Sequence, residues 1–179
     1  TLSEVAGRAV DKSKLKARGE IRQDDATFPN GTHICELEID PETGVTTIDR
    51  YTIVDDFGVT VNPLLLAGQV HGGVAQGIGQ ALMESTVYDE TGQLLSASFM
   101  DYQMPRAADM PDFDFKTRNV PSPANALGIK GAGEAGSIGS SPAVMNAVAD
   151  ALERGCGSRA IDMPATPLRV WTAIQEARG

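Results

Sequence analysis

The chain has 179 residues, 41% of them hydrophobic and 22% charged, with a net charge of −9. That suits one domain with a buried core that folds rather than stays disordered, and the acidic balance argues against nucleic acid or an anionic membrane as partner. Two unclustered cysteines and two histidines supply neither an iron–sulfur cluster nor a zinc tetrahedron, so any metal has to arrive on a cofactor or on another chain.

No apolar run reaches the length of a membrane-spanning helix. The lone Cys35 and Cys156 do not make a disulfide framework and suit a reduced, cytoplasmic setting. The opening Thr1-Leu2-Ser3-Glu4-Val5 has neither an initiator Met nor a secretion pattern, and reads as the interior of a longer chain. Residues 1–18 predict a short helix, apolar at Leu2, Val5, Ala6, Ala9 and Val10 and basic from Lys12 to Arg18. After a turn at Phe28-Pro29-Asn30-Gly31, a strand is expected over His33–Ile39, where Cys35, Leu37 and Ile39 alternate with Glu36 and Glu38. Pro41-Glu42-Thr43-Gly44 signals a hairpin into a β-branched strand from about Val45 to Val54.

Asn62-Pro63 introduces a helix from Leu64 to about Ser85. Its apolar face is Val70, Val74, Ile78, Ala81 and Leu82, and Gln69, Gly73, Gln76 and Gln80 form a polar stripe. Gly68, Gly72, Gly73, Gly77 and Gly79 each weaken that helix by up to roughly 1 kcal/mol relative to Ala. A second backbone or a ligand therefore has to pack against the bare surface.

A second hairpin turn is expected at Asp89-Glu90-Thr91-Gly92, a surface loop over Met104–Asp114, and a short strand over about Phe113 to Val120. Ser140-Ser141-Pro142 reads as the cap and first turn of a helix with an apolar face from Ala143 to Leu152. After a loop at Asp162–Pro164, Thr166-Pro167 starts a last helix, Leu168 to Ala177, with Val170, Trp171 and Ile174 inward. Strands and helices mixed without regular βαβ alternation give an α+β fold, a mixed sheet with hairpins packed by several helices.

The segment Gly128-Ile129-Lys130-Gly131-Ala132-Gly133-Glu134-Ala135-Gly136 holds a lone carboxylate in a loop nearly free of side chains, which lets a bulky ligand approach the main chain. Residues 131–136 match Gly-x-Gly-x-x-Gly, but a dinucleotide loop needs a buried strand before it, a helix opening within it and an acidic strand end about twenty residues on. Here a proline-rich stretch precedes the loop, the helix signal comes at Ser140, and Asp150 and Glu153 fall inside that helix. No Gly-Lys-Ser/Thr follows to make a phosphate loop. Glu134 has three readings: a general base raised by desolvation, an acceptor for a ligand N–H, or a solvated glutamate paired with Lys130. Gln69 reads equally as a solvated helix residue, and His71 as a hydrogen-bonded core histidine.

Several segments in fixed order resemble the molybdenum hydroxylases, the superfamily of xanthine dehydrogenase, aldehyde oxidase and aerobic carbon-monoxide dehydrogenase. They are Phe28-Pro29-Asn30-Gly31 through Glu38-Ile39-Asp40, Val54-Asp55-Asp56, Gly68-Gln69-Val70-His71-Gly72-Gly73 through Gln80-Ala81-Leu82, and Lys130-Gly131-Ala132-Gly133-Glu134. The likeness runs from about residue 28 to residue 174 and is strongest to bacterial carbon-monoxide-dehydrogenase-like large subunits. It implies that residues 1–179 are the C-terminal portion of a molybdopterin-binding domain, as a fragment or a split subunit. By resemblance Glu134 is the base beside molybdenum. It takes the proton from Mo–OH, whose oxygen attacks an electron-poor carbon, while hydride passes to a sulfido ligand. Gln69 falls near the metal and pterin, and Ala132 and Gly133 on backbone that approaches the cofactor. No protein side chain ligates the metal. The implied cofactor is a molybdopterin carrying molybdenum, with the cytosine dinucleotide form open.

The implied partners are the missing N-terminal part of the large subunit and separate iron–sulfur and flavin subunits, with no nucleic acid and no membrane. The residues that select substrate are not in this chain. Alone it is expected to bind cofactor poorly and to have no turnover. A second reading makes it a non-catalytic folding or interaction module whose bare surface self-associates as a homo-oligomer or docks on the missing part.

Overall fold

The computed structural model describes residues 1–16, 18–22 and 25–179. Helix α1 covers only Leu2–Gly7, capped by Thr1, and a separate 3-10 turn follows at Lys12–Leu15. The helix expected over 1–18 is thus two short pieces; Ala17, within it, lies outside the described residues. Neither piece buries a residue, and Leu2, Val5 and Val10 stay exposed, so no packed face supports a longer helix.

Strands β1 (Asn30–Ile39) and β2 (Thr46–Asp56) form the predicted antiparallel hairpin. The Asp40 carboxylate closes the turn, accepting from the Glu42 N–H at 2.9 Å and the Thr43 hydroxyl at 2.7 Å. Gly44 takes the left-handed φ of 73° that the turn requires. The alternation on β1 holds, with Cys35, Leu37 and Ile39 turned toward the core.

Strand β3 (Phe113–Thr117) joins β2 on its other side in parallel, with Tyr51 opposite Phe113 and Asp55 opposite Thr117. The sheet is therefore mixed, in the order β1-β2-β3. β3 stops short of the expected Val120 because the Arg118 N–H closes the ladder on the Asp55 carbonyl and Asn119 turns to the Phe57 N–H. The second hairpin is reduced to one bridge, Tyr88 to Leu94, around an Asp89 carboxylate that accepts from the Thr91 and Gln93 N–H groups.

Helix α2 spans Pro63–Leu82, and Asn62 caps it by accepting from the Leu64 and Leu65 N–H groups. Its predicted apolar face is buried, Val70, Val74, Ile78 and Ala81 completely. Helix α3 spans Ala135–Cys156, opening well before the expected cap at Ser140 and running through Pro142. The correction has a tertiary cause: Gly136 and Ser140 are pressed against α2, and that contact carries the helix through weak formers.

Helix α4 (Pro167–Arg178) buries Val170 and Ile174 as expected. Trp171 does not point inward; it is 39% exposed, because one step along a helix turns a side chain by roughly 100° from its neighbour. Tyr51 and Ile53 of β2 form one core with the buried residues of α2, α3 and α4. The fold is α+β, a mixed sheet covered by helices.

Candidate functional site

The glycines of α2 divide by what faces them. Gly73 and Gly77 lie under α3: a β-carbon on Gly73 would stand 3.0 Å from Gly136 Cα, and one on Gly77 would strike the Ser140 side chain. Gly136 mirrors this, since its β-carbon would lie 2.9 Å from Gly73 Cα and 2.8 Å from the Val74 nitrogen. Gly73 therefore leaves the polar stripe and becomes a backbone-to-backbone contact. Gly68 and Gly72 have open space where a β-carbon would stand, and Gln69 and Gln76 are exposed beside them. Gln80 turns toward α3, its amide oxygen accepting from the Ser141 hydroxyl at 3.4 Å. Part of the bare surface is a helix–helix seam and part is free.

The loop carrying Ala132, Gly133 and Glu134 is held at both ends. On its C-terminal side, Gly136 sits on α2 between Val70 and Val74. On its N-terminal side, the Lys130 ammonium meets the Asp56 carboxylate at 2.6 Å, with both side chains nearly buried. The other Asp56 oxygen accepts from the Gly58 N–H at 2.8 Å and the Val120 N–H at 2.9 Å. Burial pushes this carboxyl up, but the Lys130 bond and the two N–H donors outweigh it and hold it at about 2. Lys130 also donates its N–H to the Phe57 carbonyl. Asn125 brackets Ile129, accepting from its N–H and donating to its carbonyl. Gly128, at φ 66°, lets its carbonyl accept from both Val59 and Ser122.

Past this anchor the chain is bare. Gly131 and Gly133 are exposed with open space over them, and Ala132 is half-buried. Glu134 is exposed at the N-cap of α3, and its side chain makes no capping bond. Lys130 is committed to Asp56, so the Glu134–Lys130 pair weighed from the sequence does not form. Gln69 precedes Val70, and Glu134 lies just before Gly136, so both flank the point where α3 crosses α2. α3 opens within the glycine run, which removes one ground against a dinucleotide loop. The others stand: before the loop Ile129 makes only a single bridge to Gly58, and Asp150 and Glu153 lie inside α3.

Two clusters escaped the sequence pattern. The first is the Lys130–Asp56 anchor, whose members are 74 positions apart. The second is buried: His33 Nδ1 stands 3.0 Å from the Tyr51 hydroxyl and Nε2 3.5 Å from Asp55, under Gly139. Charged residues ending a β-branched strand are the one signal for either. His71 departs from expectation. Its ring packs 5.2 Å from Phe113 and 6.1 Å from Phe115, and its Nε2 has no hydrogen-bond partner among the described residues.

Among the described residues no three His, Cys, Asp or Glu side chains stand together as a metal site. What α2 and the loop expose instead is approachable backbone at Gly68, Gly72, Gly131 and Gly133, the amide of Gln69 and the carboxylate of Glu134. That donor set fits a flat, polar organic group that brings its own metal ligands.

Comparison with known proteins identifies a cofactor-binding family. Residues 1–111 match the family described as molybdopterin cofactor-binding domain. The chain is 44% identical over 148 residues to the nicotine 6-hydroxylase large subunit of Paenarthrobacter nicotinovorans, a match covering 83% of this chain and 18% of that protein. It is 37% identical over 150 residues to the carbon monoxide dehydrogenase large chain of Hydrogenophaga pseudoflava, covering 84% and 19%. The solved structure of reconstituted CO dehydrogenase from Oligotropha carboxidovorans superposes with a TM-score of 0.80 at 36% identity, over 84% of this chain and 18% of that one. The chain spans about a fifth of the length of these relatives.

Proposed function

The chain belongs to the molybdopterin cofactor-binding domain family, within the molybdenum hydroxylase superfamily, and from that premise we propose that it is the C-terminal part of an oxidoreductase large subunit and supplies the base of the reaction, Glu134. What supports this reading is that Glu134, exposed and uncapped, and Gln69, exposed on α2, stand beside Gly136 and Val70, which meet where α3 crosses α2. When bound, the cofactor supplies a two-electron acceptor and the oxygen transferred to substrate. Glu134 would accept, on a carboxylate oxygen, the proton lost by the cofactor-borne oxygen that goes to substrate. Gln69 hydrogen-bonds the organic carrier, and the backbone of Ala132 and Gly133 lies along it because no side chain intervenes.

The remainder of the large subunit supplies the substrate-selecting wall, and iron–sulfur and flavin subunits carry the electrons away. Exposed Leu64, Leu65, Phe99 and Met100 favour such a covered state over a free-standing domain. The two unpaired cysteines suit a cytoplasmic assembly. The test is Glu134→Gln in the complete large subunit. Molybdenum and pterin content should stay stoichiometric while substrate oxidation falls by at least ~10², in line with loss of a general base. Unchanged turnover with a fully loaded metal would remove Glu134 from the reaction.

A further inference from the structure

We propose that Asp56 and Lys130 are positioning residues for Glu134: the ion pair ties the glycine loop to the end of β2 and fixes where the carboxylate is presented. The inference rests on the reading of Glu134 given above. A loop of bare glycines has no side chains with which to hold itself. A β-carbon on Gly131 or Gly133 would meet nothing within 4 Å, so apart from the Ala132 methyl, which packs against the core, the location of residues 131–134 is set by what lies on either side. On one side is α3, seated on α2 through Gly136. On the other, the last fixed residue before the glycines is Lys130, held by its backbone to Phe57 and by its ammonium to Asp56 at 2.6 Å.

Asp56 is suited to this role because it gathers several segments on one carboxylate. One oxygen takes the N–H groups of Gly58 and Val120, fixing the turn after β2 and the strand exit after β3; the other takes Lys130. The loop is thereby referenced to the end of β2 rather than to its own chain. The same pair keeps the ammonium directed at Asp56, so the carboxylate at 134 faces its ligand without a cationic neighbour from its own loop. A ligand-facing group displaced by about 1 Å can lose on the order of 10² in rate, which sets the scale of what such a tether protects.

The test separates the tether from the clamp. Asp56→Asn keeps an oxygen for Gly58 and Val120 but presents no anion to Lys130; Lys130→Met removes the ammonium; Lys130→Arg retains a cation. Backbone 15N order parameters are measured for Gly131, Ala132, Gly133 and Glu134, with Val144 and Val148 of α3 as the reference for an intact fold. In the unaltered chain the loop is expected near the rigid value of about 0.85, falling below about 0.6 in Asp56→Asn and Lys130→Met and recovering in Lys130→Arg. In the complete large subunit, Asp56→Asn should lower kcat about 10²-fold with KM and molybdenum content unchanged. Loop order parameters that stay rigid in Asp56→Asn while α3 is intact overturn the proposal. So does a loosened loop with unaltered kcat. If Glu134→Gln proves harmless, the base assignment falls, yet the order parameters still decide whether the pair holds the loop. Should Lys130→Met fail to fold, Asp56→Asn alone decides.

Discussion

Glycine-to-alanine substitution at two α2–α3 positions should change stability in opposite directions. A β-carbon on Gly136 would lie 2.8 Å from the Val74 nitrogen and 2.9 Å from Gly73 Cα. Both are backbone atoms, so no rotamer change relieves the contact. Restoring an ordinary separation requires the helices to part by roughly half an ångström, and a gap of that order forfeits a quarter or more of each van der Waals contact along the seam. Overpacking of this kind costs about 1–3 kcal/mol, against a helix-propensity gain of up to about 1 kcal/mol. The expected net loss for Gly136→Ala is on the order of 2 kcal/mol, a fall of roughly 4–8 °C in Tm for a domain of this size. Gly72→Ala has open space and retains only the propensity gain, so its Tm should rise by roughly 2–4 °C. Thermal melts followed by far-UV circular dichroism check both. A stable Gly136→Ala, or a destabilised Gly72→Ala, would refute the division of the glycine surface into seam and open face.

Three further outcomes follow from the geometry. The Asp56 carboxyl lies at about 2 in the folded chain against an ordinary 3.8; a depressed carboxylate stabilises above its unfolded value and loses that contribution as pH falls through the folded one. About 2 kcal/mol should therefore disappear between roughly pH 4 and pH 2, and urea titrations should show a shallower acid slope for Asp56→Asn. Asp40 and Asp89, held low by the Thr43 and Thr91 hydroxyls, add the same slope to both proteins. Burial, with the Glu36 charge second, pushes the Cys35 thiol up to about 12, so native Cys35 should resist alkylation at mildly alkaline pH and react readily in urea. Gly139→Ala would place a methyl 2.6 Å from the His33 ring and pull it off its 3.0 Å contact with Tyr51. Its cost of about 1–3 kcal/mol should shrink when His33 is also replaced by Ala, a coupling that a double-mutant cycle reads directly.

What was legible in the sequence was whatever a single segment decides for itself. The β1–β2 hairpin was readable because Asp40, Thr43 and Gly44 close the turn with local bonds. The α2 face was readable because five apolar residues fall at helical spacing. α3 was misplaced because its first turn is poor in helix formers and is secured by Gly73 and Gly77 on another helix. Trp171, expected inward with Val170 and Ile174, lies off the buried face that those two define. The loop was visible as a bare stretch, but its anchor was not, since nothing local links Asp56 to Lys130. The polar stripe was half right: Gln69 and Gln76 lie open, whereas Gly73 belongs to the seam.

Several places where local rules fail lie on α2 and the loop before α3. Gly73 and Gly77 recover their helix penalty by admitting α3, but Gly68 and Gly72 admit nothing within the chain. Each therefore weakens α2 by up to about 1 kcal/mol without internal compensation. Glu134 occupies an N-cap position where Ser, Thr, Asp or Asn would stabilise the helix by about 1 kcal/mol, and it makes no capping bond. Gly131 and Gly133 leave open space where a β-carbon would stand. These positions lie on the exposed face of α2 and on the loop that opens α3. Local weaknesses on the surface of two packed elements are the expected trace of a binding surface. The free energy that α2 and the loop forgo is then returned by whatever lies over them, which makes the bound group part of what stabilises this region.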